Sequence, residues 1–368
     1  MYLDNASTTP LTQEVKDYII SLLDTYQNPS SMYQSGAEVK QIISTARNNV
    51  AKFINANPED IVFTSGGSAS NTLAIKGYTD KNKCMVLYSP IVHKSIIKCV
   101  ETLKYKIPLK VDKQGFIDIQ DLKESLSINS MPKLVVIGYA DSEIGTIQEV
   151  YQIVKLAHFY NAKVYIDCTG SIPTIPLDVK SLNCDFAGFS AHKLGALKGT
   201  GVLYKKSNIK LSPLIYGSQE QGLFGGTENV LGIAALGKAL ENYDYSTITS
   251  KSRDYVYNYV MNNISDTYLV GADLEHRLSH NLYICFKGIQ GESLMTLLDM
   301  NNIQVSTGSA CTSGDLTPST TLLAINMNKE DINSCIRMSF SGNETKDELD
   351  YVCMKLSSNV KLLRSLNK

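Results

Sequence analysis

Lys193 lies in a segment that is suited to holding one amine in place. A short apolar strand, 186–189, leads directly into Ser190, His192 and Lys193, and a glycine-rich turn separates them from a second strand, 202–204. A lysine attacks a carbonyl only in its neutral form, which burial and nearby positive charge favour. An ordinary surface lysine is the simpler interpretation of this residue alone, but two other segments argue against it.

The first of these segments ends in a carboxylate and the second forms a glycine- and serine-rich turn. The apolar strand 164–167 closes on Asp167, and a buried aspartate there needs a cationic partner or hydrogen-bond donors. The stretch 61–77 is predicted to form a strand, a turn at 65–68 and a helix. The first N–H groups of that helix are free to bind an anion. Amine, carboxylate and anion cradle match what a protein supplies to pyridoxal phosphate.

Composition narrows the class of protein. The chain has 368 residues and a formal net charge of -1, so it offers no basic surface for nucleic acid or an anionic membrane. Its first ten residues form neither a signal peptide nor an apolar run, and no stretch reaches the roughly 18 apolar residues of a membrane helix. We therefore expect a cytoplasmic protein that acts on small molecules.

The eight cysteines are scattered and include no Cys-x-x-Cys pair, so we expect neither a metal site nor a disulfide framework. Most of them fit core positions. Cys311 differs, because small residues surround it in 305–315 and predict an exposed, mobile loop. A thiol in such a loop is placed for chemistry, although an incidental loop cysteine is the alternative.

Strands alternate with helices as far as about residue 242, which predicts an α/β unit with a mostly parallel sheet covered on both faces. Loops at one edge of that sheet should gather His93, Ser142, Asp167 and Lys193. The pattern after 243 is α+β. We predict a large domain over 15–242 and a small domain over 243–368, joined by 1–14, that carries Cys311.

In these residues the chain resembles the cysteine desulfurases of the NifS and IscS type, in the class V aminotransferase group of fold-type I pyridoxal-phosphate enzymes. The resemblance covers nearly the whole chain. It rests on 2–10, 28–31, 63–66, 93–94, 143–148, 190–193 and 308–313, which read YLDNASTTP, NPSS, FTSG, HK, EIGTIQ, SAHK and GSACTS.

The resemblance implies a role for each matching residue. Lys193 would form the Schiff base with the cofactor, Asp167 would pair with the pyridine nitrogen, and His93 would stack on the ring and take part in proton transfer. The residues implied for phosphate binding are Gly67, Ser68, Ser190 and His192, with Thr227 from the other subunit of a homodimer. Asn28 and Arg337 would hold the substrate carboxylate, and Cys311 would accept the sulfur.

The sequence departs from the family pattern near the implied cofactor ring. The pair Asp141-Ser142 replaces two asparagines, of which the second normally contacts the ring hydroxyl, and Gly170 replaces a glutamine aimed at the same hydroxyl. Further along the chain, Gln221 and Phe224 replace two arginines. The shortened donors should weaken cofactor binding without abolishing it.

The activity implied is conversion of L-cysteine to L-alanine, with the sulfur left on Cys311 as a persulfide for an iron-sulfur scaffold or a thiolation enzyme. A related aminotransferase, or a lyase that cleaves a C–S or C–Se bond, is the first alternative. Such enzymes need no loop thiol, so Cys311 separates them from a desulfurase. A catalytically weakened scaffold is the second alternative, against which the retention of Lys193, Asp167 and Arg337 argues.

Overall fold

A computed structural model of the chain describes residues 1–307 and 319–366. Within them the strands form two sheets. The strands are β1 (Ile61–Thr64), β2 (Met85–Tyr88), β3 (Lys106–Pro108), β4 (Lys133–Gly138), β5 (Lys163–Asp167), β6 (Phe186–Ser190), β7 (Gly201–Lys205), β8 (Thr267–Leu269), β9 (Asn281–Phe286), β10 (Ser306–Thr307) and β11 (Cys335–Ser339).

The α-helices of the described residues alternate with the strands through the first two thirds of the chain. They are α1 (Gln13–Ser21), α2 (Gln34–Phe53), α3 (Gly67–Lys81), α4 (Lys94–Glu101), α5 (Ile119–Ser127), α6 (Val150–Phe159), α7 (Val179–Leu182), α8 (Val230–Glu241), α9 (Lys251–Asn263), α10 (Gly291–Asp299), α11 (Thr320–Ala324), α12 (Lys329–Ile332) and α13 (Lys346–Leu366).

The larger sheet has seven strands in the order β1-β7-β6-β5-β4-β2-β3, and only β7 runs against the others. Successive residues of each strand point to opposite faces. In β5, Val164 and Ile166 pack into one apolar cluster with α2 and α6, whereas Tyr165 packs into the other with α3 and α4. The result is the three-layer arrangement that near-continuous apolar strands predict.

The second sheet is antiparallel, in the order β10-β11-β9-β8, and packs against α9, α10 and α13. The N-terminal segment joins this unit, because Leu3 N donates to Gln304 O at 2.8 Å and Ser339 N donates to Leu3 O at 2.7 Å. Leu3 is itself fully buried in the cluster of this unit. These contacts agree with an N-terminal segment assigned to the small domain, and the boundaries at 15 and 243 stay a prediction.

The fold class expected from the sequence is confirmed: a fold-type I α/β unit with a mostly parallel sheet is followed by an α+β unit. The strands predicted at 164–167, 186–189 and 202–204 match β5, β6 and β7 to within one residue at each end. No helix in the described part of the chain is long and apolar enough to cross a membrane.

Candidate active site

A cavity of about 330 Å³ opens at the carboxyl ends of β4, β5 and β6. Its volume is within the range of sites for small ligands, and its place is where open α/β sheets bind them. His93, Ser142, Asp167 and Lys193, which the sequence analysis expected at one sheet edge, all line this cavity. Arg337 reaches the same cavity from β11 of the antiparallel sheet.

Lys193 ends a short 3-10 turn, Ala191–Lys193, that follows β6 without a break. The N-terminal segment fixes this turn, because Thr9 N donates to His192 O at 3.0 Å and Gly195 N donates to Thr9 Oγ1 at 2.9 Å. Burial and the positive charge of Arg337 lower the pKa of Lys193 to about 8. A substantial fraction of this amine is therefore neutral near physiological pH, as nucleophilic attack on a carbonyl requires.

Asp167 is the last residue of β5 and is 7% exposed. Each oxygen of its carboxylate accepts one hydrogen bond: Oδ1 from Thr169 N at 2.9 Å and Oδ2 from Asn71 Nδ2 at 3.2 Å. Carboxylate oxygens accept more than one bond each, so the group keeps capacity for a protonated ring nitrogen in the cavity.

The opening turn of α3 presents donors beside Asp167 that suit an anion. The helix begins after Gly66 without a side-chain cap, and Gly67 and Ser68 line the cavity. The hydroxyls of Thr169 and Ser190 are buried there, and neither has a hydrogen-bond partner. A Cβ built on Gly67 would lie 3.1 Å from Thr169 Oγ1, so glycine keeps the space between them open. Uncapped N–H groups and partnerless hydroxyls are donors that fit a phosphate.

Two histidines, His93 and His192, also line the cavity. His93 is the N-cap of α4, and burial together with the charges of Lys193 and Lys94 lowers its pKa despite the opposing effect of Asp167. Burial and the charges of Lys193 and Lys198 lower the pKa of His192 to about 4. Both rings are therefore neutral at physiological pH and can donate only one N–H each.

Arg337 has partners on two of its three nitrogens. Nη2 pairs with Asp4 Oδ1 at 2.7 Å and donates to Ser7 Oγ at 2.9 Å, and Nη1 donates to Ser142 O at 3.1 Å. Nε is buried without a partner. The ion pair with Asp4 is the structural role that a lone arginine often has, and the free N–H leaves Arg337 able to bind a carboxylate as well.

The departures from the family pattern lie in two places. Ser142 and Gly170 are neighbours across the cavity wall, and a Cβ built on Gly170 would lie 3.2 Å from the Cβ of Ser142. Gln221 lies outside this cavity, where its Nε2 donates to Glu59 O at 2.8 Å. Phe224 is partly buried and packs against the apolar cluster on the α3 side of the sheet.

Three predicted site residues do not join the cavity within the described chain. Asn28 is exposed, and its Oδ1 accepts from Ser30 N at 2.8 Å in a turn before α2. Thr227 is exposed in the segment before α8. Cys311 lies outside the described residues. The roles assigned to these residues stay predictions.

Sequence reasoning missed two residues of the site, Thr169 and Asn71. Thr169 follows Asp167 by two residues at the end of β5, so its place in a strand-end loop was available as a signal. Asn71 comes one helical turn after Gly67 and Ser68, a spacing that puts it on the same face of α3. Its contact with Asp167 joins residues 96 positions apart in the chain, which no local pattern reveals.

Comparisons with known proteins agree with this geometry. The family model for aminotransferase class-V matches residues 1–352. A protein of Dictyoglomus turgidum named cysteine desulfurase IscS is 38% identical, over 100% of this chain and 96% of its own length. A protein of Clostridium botulinum with the same name is 35% identical over the same shares.

A solved NifS-like protein superposes with a TM-score of 0.91 at 28% identity, covering 99% of this chain and 100% of its own. Members of this family are dependent on pyridoxal phosphate, and the amine, carboxylate and anion site described above fit that group. The chain therefore belongs to the class V aminotransferase family, among the cysteine desulfurases of the NifS and IscS type.

Proposed function

We propose that this protein removes the sulfur of L-cysteine with pyridoxal phosphate held in the described cavity, releasing L-alanine and leaving a persulfide on Cys311. The observation that carries the proposal is the convergence of Lys193, Asp167 and the uncapped start of α3 on one small cavity. The solved structure of SspA in complex with cysteine, with a TM-score of 0.81 at 28% identity, supports the choice of substrate.

Each residue of the cavity takes a role in holding the cofactor. Thr169, Ser190 and the first N–H groups of α3 bind the phosphate, because they are the donors without partners. The Asp167 carboxylate holds the proton on the pyridine nitrogen. Pyridoxal phosphate, when bound, supplies the electron sink that makes the substrate α-proton acidic. His93 would face the ring, and Ser142, which lies beside Gly170 in the cavity wall, would be the donor to the ring hydroxyl.

Arg337 and Lys193 act on the substrate. The free Nε–H of Arg337 binds the carboxylate of cysteine with a charge-assisted hydrogen bond. The Lys193 amine would hold the cofactor through its aldehyde and, when free, takes the α-proton of the substrate and later returns a proton to the product. Its lowered pKa suits it to both steps.

The sulfur transfer itself belongs to Cys311, whose role rests on its sequence context alone. Its thiolate attacks the sulfur of the bound substrate, so that an S–S bond forms and the substrate Cβ–S bond breaks. The electron pair of the broken bond stays with the substrate carbon, which takes up protons and leaves as alanine. No external oxidant is needed, because the two electrons that the sulfur gives up reduce the β-carbon of the substrate from –CH2–SH to –CH3.

We further propose that the enzyme is a cytoplasmic homodimer in which Thr227 of one subunit approaches the phosphate site of the other. The exposed position of Thr227, away from its own cavity, supports this arrangement. The persulfide then passes to an iron-sulfur scaffold or a thiolation enzyme. Asn28 is assigned to the substrate carboxylate from the family pattern.

The proposal is tested by incubating the purified holoenzyme with L-cysteine, quantifying alanine and measuring the mass of the peptide that contains Cys311. We expect alanine and a gain of one sulfur atom on that peptide. Lys193→Ala should abolish both and remove the visible absorbance of the cofactor, whereas Lys198→Ala, an exposed lysine outside the cavity, should change neither. Cys311→Ser should abolish the mass gain.

Full turnover by Cys311→Ser with pyruvate or sulfide as the main product would identify a lyase instead. Cofactor absorbance that persists in Lys193→Ala would contradict the site assignment.

A further inference from the structure

Asn71 lines the cavity and contacts both Asp167 and Ser95. It is 1% exposed on α3 and uses both hydrogens of its amide: Nδ2 donates to Asp167 Oδ2 at 3.2 Å and to Ser95 Oγ at 2.9 Å. Its Oδ1 accepts from the hydroxyl of Tyr165. Every polar atom of this buried side chain therefore has a hydrogen-bond partner. A buried amide with all of its hydrogen bonds made has a fixed orientation.

Asp167 and Tyr165 together determine which way the amide faces. A carboxylate oxygen only accepts hydrogen bonds, so Nδ2 must face Asp167, and the hydroxyl of Tyr165 then donates to Oδ1. Tyr165 is fully buried, and its hydroxyl occupies the space above Gly188 of the neighbouring strand β6, where any Cβ would overlap it. The two strands that end in Asp167 and Ser190 thus also fix the orientation of Asn71.

Ser95 extends this network to His93. Because Ser95 Oγ accepts from Asn71, its single proton is directed to His93 Nδ1, which lies 2.8 Å away. The backbone N–H of Ser95 also donates to His93 Nδ1, at 3.2 Å. Nδ1 is therefore an acceptor, and a neutral imidazole with one accepting nitrogen carries its proton on the other, Nε2.

We propose that Asn71 is a positioning residue that fixes Asp167 and His93 together, holding the carboxylate against the cofactor and, through Ser95, keeping the proton of His93 on Nε2. The inference rests on the roles proposed above for Asp167 and His93. It also separates the roles of two residues: His93 presents an N–H to the cavity, and Lys193 accepts the α-proton of the substrate. His93 then donates a hydrogen bond to cofactor or substrate and does not remove the α-proton.

The first test uses the apoprotein labelled with ¹⁵N-histidine, so that it does not depend on cofactor or activity. The chain has five histidines, and His93→Gln assigns the signal of His93 by its loss. We expect the ¹⁵N shifts at pH 7.5 to report protonated Nε2 and unprotonated Nδ1. Protonated Nδ1 in the wild-type protein would overturn the proposal.

The second test separates the two branches of the network with Asn71→Ala and Ser95→Ala. Asn71→Ala should shift the absorbance band of the bound cofactor, lower kcat about tenfold with less than a threefold change in KM, and mix the His93 tautomers. Ser95→Ala should raise the fraction of the tautomer protonated on Nδ1 only in part, because the backbone N–H of residue 95 still donates to Nδ1, and it should leave the cofactor band in place, because Asn71 still holds Asp167. Asn49→Ala, which removes a single amide bond to Gly237 O outside the cavity, should affect none of these readouts.

Tyr165→Phe provides a variant with the Asn71 side chain intact should Asn71→Ala fold poorly. Losing the hydroxyl leaves Oδ1 of Asn71 buried without a donor and so weakens the hold on the amide, and both the cofactor band and the tautomer signal should change in the same direction as in Asn71→Ala, by a smaller amount. Asn71 and Tyr165 variants that match Asn49→Ala in both readouts would refute the positioning role. Failure of the wild-type protein to bind pyridoxal phosphate would instead refute the proposed function and leave the tautomer test valid.

Discussion

Ser142 and Gly170 lie against each other in the cavity wall, with only 3.2 Å between the Cβ of Ser142 and the position a Cβ would take on Gly170. The family pattern has longer side chains at both positions, and in this protein the two shortened positions are in direct contact. A longer side chain at either position would have to occupy the space beside the other. Changes at these positions should be coupled and not additive.

Replacing Ser142 by asparagine should tighten cofactor binding. The longer side chain can extend over Gly170 and bring an amide donor into the cavity, where one hydrogen bond contributes about 1 kcal/mol, or about fivefold in the dissociation constant. Equilibrium titration of the apoprotein with pyridoxal phosphate measures this change. Gly170→Gln in the same protein should give no such gain, because its Cβ would lie only 3.2 Å from the Cβ of Ser142. Equal gains in affinity from both variants would show that the cavity wall rearranges to admit a longer side chain at residue 170, contrary to this prediction.

The rate at which the apoprotein captures pyridoxal phosphate should rise with pH and level off above about pH 8. Burial and Arg337 lower the pKa of Lys193 to about 8, and only the neutral amine reacts. Below that pKa the neutral fraction falls about tenfold per pH unit, so capture slows as the solution becomes more acidic. Rapid-mixing absorbance measurements from pH 6 to 10 give the midpoint.

Arg337→Met tests the cause of this midpoint. Removing the positive charge should move the midpoint to higher pH, while Lys198→Met, which removes a charge that does not contribute to the lowered pKa of Lys193, should leave it in place. A wild-type midpoint near 10.4, the usual lysine value, would contradict the burial of the amine.

Much of the site could be predicted because its residues follow strands directly. A strand that ends in Asp167 or leads into Lys193 delivers that side chain to the sheet edge, and apolar runs reveal such strands. The short strand β3, at the sheet edge, was missed because its residues are partly or fully exposed and end in a proline, so no apolar pattern marks it. Asn71 was missed because only the fold brings it to Asp167.

The place of Arg337 could be predicted from the family pattern, but its ion pair with Asp4 could not. Residues 4 and 337 meet because the N-terminal segment bridges to β11 at Ser339. That contact depends on the packing of the whole antiparallel unit. It also places a carboxylate of the protein where it competes with the carboxylate of the substrate.

Arg337→Lys should raise KM for cysteine more than it lowers kcat. A lysine cannot keep the three separate contacts of the guanidinium and also offer a free donor, and a charge-assisted hydrogen bond contributes about 1.5 to 3 kcal/mol, or roughly 10- to 100-fold. Steady-state alanine release at varied cysteine concentration measures both constants. Asp4→Asn is the companion variant: it removes the competing anion and should lower KM. A fall in kcat alone in Arg337→Lys would assign the arginine to structure.

Asp185 directly precedes β6, the strand that leads to Lys193. Its replacement by asparagine should lower the free energy of unfolding by about 3 kcal/mol. It is fully buried and accepts from His158 Nε2 at 2.7 Å, Lys163 Nζ at 2.9 Å and Val164 N at 2.9 Å. Burial acts to raise the pKa of Asp185, but the hydrogen bonds from His158, Lys163 and Val164 outweigh it and lower the pKa.

Because its pKa is lower in the folded protein than in the unfolded chain, the carboxylate of Asp185 stabilises the fold above the unfolded value of about 3.9. That stabilisation is lost as the pH falls through the folded pKa. Urea unfolding of the apoprotein at pH 7 and at successively lower pH should therefore show a deficit in Asp185→Asn that shrinks under acid. Asp80→Asn, which breaks an exposed pair with Lys76, should cost less than about 0.5 kcal/mol at any pH. A deficit for Asp185→Asn that is constant from pH 7 to pH 3 would show that shape, and not charge, makes this residue necessary.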